Sequence, residues 1–317
     1  MRRFTITLLA LFASVTLLPP LYYTAFPPPE PSPLPPEGKR VVLPDGLAVN
    51  VVEKGEGQPI LLVHGLPGTA YDWRLLVDEL ASRGFRALAY DRVGYGRSDA
   101  RAEDEAHSVQ ANAREMEQLI EVLELEDPTI VAWSYGGAMA LTSAMSGSTN
   151  MSRLVLVGTA GPDSADAEPP DGPPAFVRFL YSDPVLAWRS RVPPVTRGMI
   201  EAASAQAFSR QPQPDWWLPS VEANFSRWDT LQTFKKEMFH PIHRDWDARR
   251  IDIPTLLIHG DADQNTPVGV SRYLVSVIPD AEAVFIEQGS HMLPVTHPEL
   301  LADVITTFAA GRSPMRR

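Results

Sequence analysis

Thr129-Ile130-Val131-Ala132-Trp133-Ser134-Tyr135-Gly136-Gly137 is the stretch that decides the fold. An apolar, β-branched run stops on a serine flanked by small residues, and helix-forming residues, Ala138 to Ser146, follow at once. The pattern predicts a strand, a tight turn and a helix. At such a turn the serine sits in a strained backbone conformation with its hydroxyl lifted clear of the sheet, so the residues two positions to either side must lack bulk. Gly136 meets that demand, and Ala132 nearly does, with one methyl where glycine is usual.

Upstream of this turn, Pro59-Ile60-Leu61-Leu62-Val63 is a continuous apolar run of strand length, as expected for a parallel strand buried on both faces. It ends in His64-Gly65-Leu66-Pro67-Gly68. A helical pattern spans Tyr71 to Arg83, then a strand, Ala87 to Tyr90, leads into Asp91-Arg92-Val93-Gly94-Tyr95-Gly96-Arg97-Ser98. The acidic stretch Glu103 to Glu126 spaces Met116, Leu119, Ile120 and Leu123 as one buried helix face, which leaves its carboxylates for a solvated face. Further upstream, Arg40 to Leu43 and Leu47 to Val52 flank a Pro44-Asp45-Gly46 turn and predict a hairpin.

Downstream, a strand is expected at Leu154 to Val157, after which strand and helix stop alternating. From Pro162 to about Asp247 prolines and aromatics crowd in, including Trp188, Trp216, Trp217, Trp228 and Trp246. Regular order resumes with Pro254 to Ile258, a helix near Val268 to Val277, a strand at Ala283 to Ile286 and a closing helix, Pro298 to Ala310. This alternation gives an α/β fold: an open, mostly parallel sheet with helices on both faces, whose ligands bind beyond the carboxyl ends of the strands. Residues 162–247 form a largely helical cap insertion, and residues 40–161 and 248–317 form the core.

The chain has 317 residues, 44% of them hydrophobic, a net charge of −11 and no cysteine. Those values permit a sizeable core, argue against a nucleic-acid partner and exclude disulfides, thiolate metal sites and cysteine nucleophiles. Met1-Arg2-Arg3 precedes an apolar stretch, Phe4 to Phe26, interrupted by Pro19-Pro20. Residues 1–26 read as an export signal or an uncleaved membrane anchor, with the body outside the cytoplasm. Residues 27–39 are a proline-rich linker, stiff and extended.

Three apolar strands end on complementary side chains: Ser134, the Gly260-Asp261-Ala262-Asp263 group, and His291 after Gly289-Ser290. A serine hydroxyl is a poor nucleophile until a base takes its proton, and the imidazole that does so needs a carboxylate to fix its tautomer. Serine, acid and histidine in this chain order resemble the α/β-hydrolase family, in its serine-nucleophile, cap-bearing branch, from about Arg40 to the C-terminus. The resemblance implies an eight-stranded-type sheet, Ser134 as nucleophile, Asp263 as acid with Asp261 as its structural neighbour, and His291 as base. The main-chain N–H groups of Leu66 and Tyr135 would form the oxyanion hole. The turn from Asp91 to Ser98 resembles a mainly structural family turn.

Plainer roles compete at several positions. His64 and His259 are expected to pack against loops, His297 to lead into a helix, and Asp163 stands as a fallback acid. The cap aromatics suggest an apolar acyl or alkyl site. The expected function is a serine hydrolase, a carboxylesterase on small or medium apolar esters, needing no cofactor and no metal. Serine at the elbow argues against the family's haloalkane dehalogenases and epoxide hydrolases. Carbon–carbon bond hydrolases, prolyl aminopeptidases, lactonases and amidases keep a serine and stay open. A hydrolase-like binding protein without turnover is the alternative of another class.

Overall fold

The computed structural model describes residues 17–18, 21–22, 24–25, 38–101, 107–147, 150–164, 174–190, 192–209, 211–240 and 246–314. Most of the expected N-terminal signal or anchor and nearly all of the proline-rich linker lie outside these residues. Among the described residues no helix is long and apolar enough to cross a membrane.

Eight strands form one sheet: β1 (Lys39–Val42), β2 (Ala48–Lys54), β3 (Pro59–Val63), β4 (Arg86–Asp91), β5 (Thr129–Trp133), β6 (Arg153–Val157), β7 (Thr255–Gly260) and β8 (Ala281–Ile286). Their order is β1-β2-β4-β3-β5-β6-β7-β8. β2 runs antiparallel to both β1 and β4, and every other pairing is parallel. Helices α1 (Arg74–Ser82), α2 (Val109–Val122), α3 (Tyr135–Ser146), α9 (Val268–Val277), α10 (Leu293–Thr296) and α11 (Pro298–Ala309) belong to this layer, and a 3-10 turn, Ala70–Trp73, leads into α1. Between β6 and β7 lie α4 (Ala175–Leu180), α5 (Asp183–Arg189), α6 (Pro193–Phe208), α7 (Trp217–Phe225) and α8 (Trp228–Phe239).

The central strands β3 and β5 are apolar along most of their length because both of their faces are covered. Leu61 and Val63 of β3 point into one buried cluster, Ile60 and Leu62 into the other; Ile130 and Ala132 of β5 are likewise separated from Val131 and Trp133. Each such side chain removed from water contributes about 1.5–3 kcal/mol, so these short strands need no polar alternation to hold their register.

One expectation fails on α2. The carboxylates of this helix are expected on a solvated face, but Glu115 is 1% exposed. Its carboxylate pairs with Arg101 Nη2 at 3.0 Å and accepts the Val93 N–H at 3.0 Å. The apolar stripe of α2 is wider than its hydrophobic residues alone indicate, because Asn112 and Glu115 also turn inward toward the loop after β4.

The insertion is tied to the core on two sides. At one, the His291 N–H donates to Ala207 O (3.1 Å), Ser209 Oγ to Ala262 O (2.8 Å) and Gln206 Nε2 to Gln264 O (3.2 Å). At the other, Gly96 N donates to Asn224 Oδ1 (3.0 Å) and Thr230 Oγ1 to Gly94 O (2.9 Å).

Candidate active site

Ser134 joins β5 to α3 with φ 54° and ψ −120°, a conformation that costs a non-glycine residue about 1–3 kcal/mol. Its backbone is held from several sides: the N–H donates to Val157 O, and the carbonyl accepts from Gly137 N and Ala160 N, each at 3.0 Å. The demand for small neighbours has a concrete cause. A Cβ on Gly136 would sit 2.5 Å from Val63 O and 2.8 Å from His64 O, inside the end of β3. Ala132 is fully buried in the sheet. Tyr135 follows as the first residue of α3, where a backbone N–H has no acceptor within its own helix. The helix therefore starts three residues earlier than the helix-forming run from Ala138.

His291 and Asp263 meet from the loops after β8 and β7. His291 Nδ1 lies 2.7 Å from Asp263 Oδ2, and the two side chains are 5% and 1% exposed. Asp263 Oδ1 accepts the N–H groups of Asn265 (2.8 Å) and Thr266 (2.9 Å), and Thr266 Oγ1 lies 2.9 Å from Oδ2. Burial works against a charge here, yet the hydrogen bonds from His259, His291 and the Thr266 backbone outweigh it and hold the Asp263 carboxyl well below the usual carboxylate range. A carboxylate can only accept, so His291 Nδ1 carries a hydrogen and Nε2 is left as the basic nitrogen. The His291 main chain is held as well: Trp133 Nε1 donates to His291 O at 2.9 Å.

The competing residues fall into supporting places. Asp261 Oδ1 accepts the Gln288 N–H at 2.6 Å and ties the two loops together. Asp163, the fallback acid, is exposed, and the carboxylate on His291 is that of Asp263. His297 begins α11, and its carbonyl accepts Leu301 N. His64 is fully buried; its Nε2 accepts the Arg92 N–H (2.9 Å), so its Nδ1 hydrogen goes to Gly65 O (2.9 Å). Burial, reinforced by the nearby Arg92 charge, pushes the His64 pKa well down and keeps the ring neutral. His259 faces Thr266 O at 3.1 Å and Asp263 Oδ2 at 3.4 Å with Nε2, while Ser271 Oγ is 2.7 Å from Nδ1. It braces the acid's loop. This is the expected packing against a loop, and only the approach to Asp263 carries no signal in the sequence, since a lone histidine after a strand has no spacing partner.

Ser134 and His291 line one cavity of about 240 Å³. Leu66 and Trp133 come from the core side; Met199, Trp217 and Phe234 are among the apolar side chains from the cap. A shallower recess at its mouth is lined by Leu66, Ser134, Tyr135, Asn265 and His291. Of the five tryptophans between residues 162 and 247, Trp217 lines the cavity. Trp216 packs edge-on against Tyr71 under the Arg74 guanidinium, Trp246 packs on the core, and Trp228 is exposed. The cap's aromatic share of the cavity wall comes from Tyr181, Phe225 and Phe234 together with Trp217, set among aliphatic and sulfur-bearing side chains. Among the described residues no three His, Cys, Asp or Glu side chains group as metal ligands would.

Residues 58–298 match the family model of the alpha/beta hydrolase fold. The chain belongs to the alpha/beta hydrolase fold family. It is similar to a non-heme haloperoxidase of Rhodococcus erythropolis, 28% identical over 276 residues that cover 83% of this chain and 96% of that one. A 2-hydroxymuconate semialdehyde hydrolase of Pseudomonas sp. (strain CF600) is 27% identical over 283 residues, 87% of this chain and 95% of its relative. Among solved structures, an esterase from Exiguobacterium antarcticum superposes with a TM-score of 0.70 at 24% identity, covering 86% of this chain and 99% of that one.

Two features of this hydrolase had no counterpart in the sequence motifs. Arg189 of α5 is 6% exposed and lines the apolar cavity. Its Nη1 donates to Leu180 O at 3.2 Å, its guanidinium lies 5.1 Å from the Tyr181 ring centre, and its buried Nε has no hydrogen-bond partner among the described residues. The second is a buried ion pair. Both terminal Arg92 nitrogens face Glu237 of α8, Nη1 to Oε1 at 2.8 Å and Nη2 to Oε2 at 3.1 Å. Neither partner could be found by local pattern, since 145 residues separate them.

Proposed function

We propose that the protein is a serine hydrolase that cleaves small or medium apolar carboxyl esters through an acyl-enzyme. The observation that carries this is the 2.7 Å bond from His291 Nδ1 to an ionised Asp263, on the wall of the apolar cavity that also holds the strained Ser134. In this reading His291 Nε2 takes the Ser134 hydroxyl proton as Oγ adds to the ester carbonyl. The charge that develops on the carbonyl oxygen is met by the N–H groups of Leu66 and Tyr135. His291 then gives its proton to the departing alkoxide, and water repeats the sequence on the acyl group. Asp263 holds the imidazole in the required tautomer and steadies its charge. Turnover of p-nitrophenyl esters of graded acyl length, abolished in Ser134→Ala, is the expected result; folded wild-type protein that turns over none of them would refute the ester reading.

A second reading, cleavage of a carbon–carbon bond beside a ketone in an acidic substrate, is favoured by Arg189. A buried cation with an unpaired Nε on an apolar wall suits a carboxylate, and one relative bears the name 2-hydroxymuconate semialdehyde hydrolase. The basic start and apolar stretch of residues 1–26 support a body exported or held at a membrane outside the cytoplasm. Membrane fractionation with intact-mass measurement tests this, and a full-length chain recovered in the cytosol would refute it.

A further inference from the structure

The buried ion pair between Arg92 and Glu237 lies behind the loop whose backbone is proposed to meet the reacting oxygen. Arg92 Nη2 donates not only to Glu237 but also to Gly65 O, at 3.2 Å. The same carbonyl accepts the His64 Nδ1 hydrogen at 2.9 Å. Gly65 O and the Leu66 N–H belong to one peptide unit. In a trans peptide, which is what joins Gly65 to Leu66, the two groups point in opposite directions. Two donors that fix the carbonyl on the buried side thereby fix the N–H on the other. Hydrogen bonds to the carbonyl also polarise the amide and make its N–H a stronger donor.

The Tyr135 side is held by the same cluster. Asn112 Nδ2 lies 3.2 Å from Tyr135 Oη and 2.5 Å from Glu237 Oε1, and the Arg92 guanidinium stands 4.9 Å from the Tyr135 ring centre. Tyr95 Oη donates to Glu237 Oε2 at 2.7 Å. Glu237 belongs to α8, the last helix of the cap, whereas the other members come from the core. A fully buried ion pair is a poor stabiliser, because desolvation offsets most of the Coulomb gain and an apolar replacement often does as well. Here the guanidinium also leaves its Nε buried without a partner among the described residues. Stability alone gives little reason for the arrangement, whereas a fixed Gly65 carbonyl gives a specific one.

We infer that Arg92 and Glu237 are positioning residues: they clamp the Gly65 carbonyl so that the Leu66 N–H is aimed at the reacting oxygen, and the oxyanion site is complete only while the last cap helix is seated. The inference rests on the serine-hydrolase reading, with Leu66 as a donor. It adds that the cap sets the transition-state site as well as covering the substrate.

The test uses the full chain and four proteins: wild type, Arg92→Lys, Arg92→Met and, as a control, Arg101→Met. Lysine keeps a cation beside Glu237 but lacks the planar fork needed to serve the carboxylate and the carbonyl together. Arg101→Met breaks the neighbouring buried pair with Glu115 and the bond from Arg101 Nη1 to Asn112 Oδ1 at 3.0 Å, while both donors to the Gly65 carbonyl stay in place. Each protein is assayed with p-nitrophenyl butyrate, with an aryl trifluoromethyl ketone and with the matching methyl ketone. Ser134 adds to the fluorinated ketone, its proton passes to His291, and the resulting oxyanion occupies the proposed site; the methyl ketone binds without addition. Since deleting one oxyanion donor costs about 10²–10³ in kcat, misaiming one is expected to cost about 10–100-fold. In both Arg92 variants kcat and trifluoromethyl ketone affinity should fall together by that factor, with KM and methyl ketone affinity within about threefold of wild type. Arg101→Met should lower Tm and keep kcat and trifluoromethyl ketone affinity within about threefold of wild type, because the Gly65 carbonyl keeps both of its donors. Folded Arg92 variants with wild-type kcat and trifluoromethyl ketone affinity would overturn the inference. So would failure of both Arg92 variants to fold beside a folded Arg101→Met, which would make the pair structural. Wild-type enzyme that neither turns over the ester nor binds the fluorinated ketone more tightly than the methyl ketone would instead remove the serine-hydrolase reading, and the inference with it.

Discussion

Replacing Ser134 with glycine should yield a protein that is inactive and more stable. At φ 54° and ψ −120° an L side chain is strained by about 1–3 kcal/mol, and glycine adopts this conformation freely. Glycine's greater freedom in the unfolded chain returns about 0.5–1 kcal/mol of that gain, which leaves a net stabilisation of about 1 kcal/mol. In a domain of this size that corresponds to a Tm rise of about 2–4 °C. Ser134→Ala supplies the internal comparison, since it removes the same hydroxyl but keeps the Cβ and therefore the strain. Both variants should lose ester turnover equally, and scanning calorimetry on matched samples should place glycine above alanine by about 1 kcal/mol. A Tm for Ser134→Gly equal to or below that of Ser134→Ala would show that the turn stores no strain and would refute this reasoning.

Asp263→Asn leaves the loop intact but removes the charge that fixes the His291 tautomer, and kcat for an ester should fall by about 10⁴-fold; a loss under tenfold in steady-state assays would count against Asp263 as the orienting acid. Asp72, fully buried beside Thr69 N, has its carboxyl pushed up to about 7, by burial first and then by the nearby Asp91 charge, against the pull of that N–H. Between about pH 4 and 7 the folded state keeps a proton that the unfolded chain has lost, so this group's contribution to stability declines as pH rises through that window. A rise of about three pH units at about 1.4 kcal/mol each is worth about 4 kcal/mol. Asp72→Asn should therefore gain on wild type by about that amount between pH 4 and 8 in urea unfolding, and a pH-independent difference would contradict the assignment. Arg189→Met should raise KM for an ester whose acyl chain ends in a carboxylate by at least tenfold while leaving the uncharged isostere within about threefold; equal effects on the two would remove the carboxylate site.

The core was legible because its physical signals are local. Continuous runs such as Pro59 to Val63 and Thr129 to Trp133 have one stable use, a parallel strand covered on both faces, and the serine ending the second run needs the small residue at Gly136 that β3 imposes. The helix at Val268–Val277 was read to its boundaries because an apolar face and flanking prolines mark it. What escaped was long-range and polar. Glu115 looks like any acid on an acidic helix until Arg101 and the Val93 N–H fold over it. Arg92 looked like part of a structural turn, and its partner lies across the insertion, where periodicity is weak. Arg189 sits among prolines and tryptophans that suggested only apolar contact. In each case the deciding partner is brought in by the tertiary fold, which no window of sequence contains.

The central claim is that Ser134 is an activated nucleophile, and covalent labelling with a fluorophosphonate tests it most directly. The account predicts one adduct per chain at pH 7.5, mapped by peptide mass spectrometry to Ser134, absent in Ser134→Ala and strongly slowed in His291→Ala. Folded wild-type protein that stays unlabelled, or that labels equally well without Ser134, would contradict it.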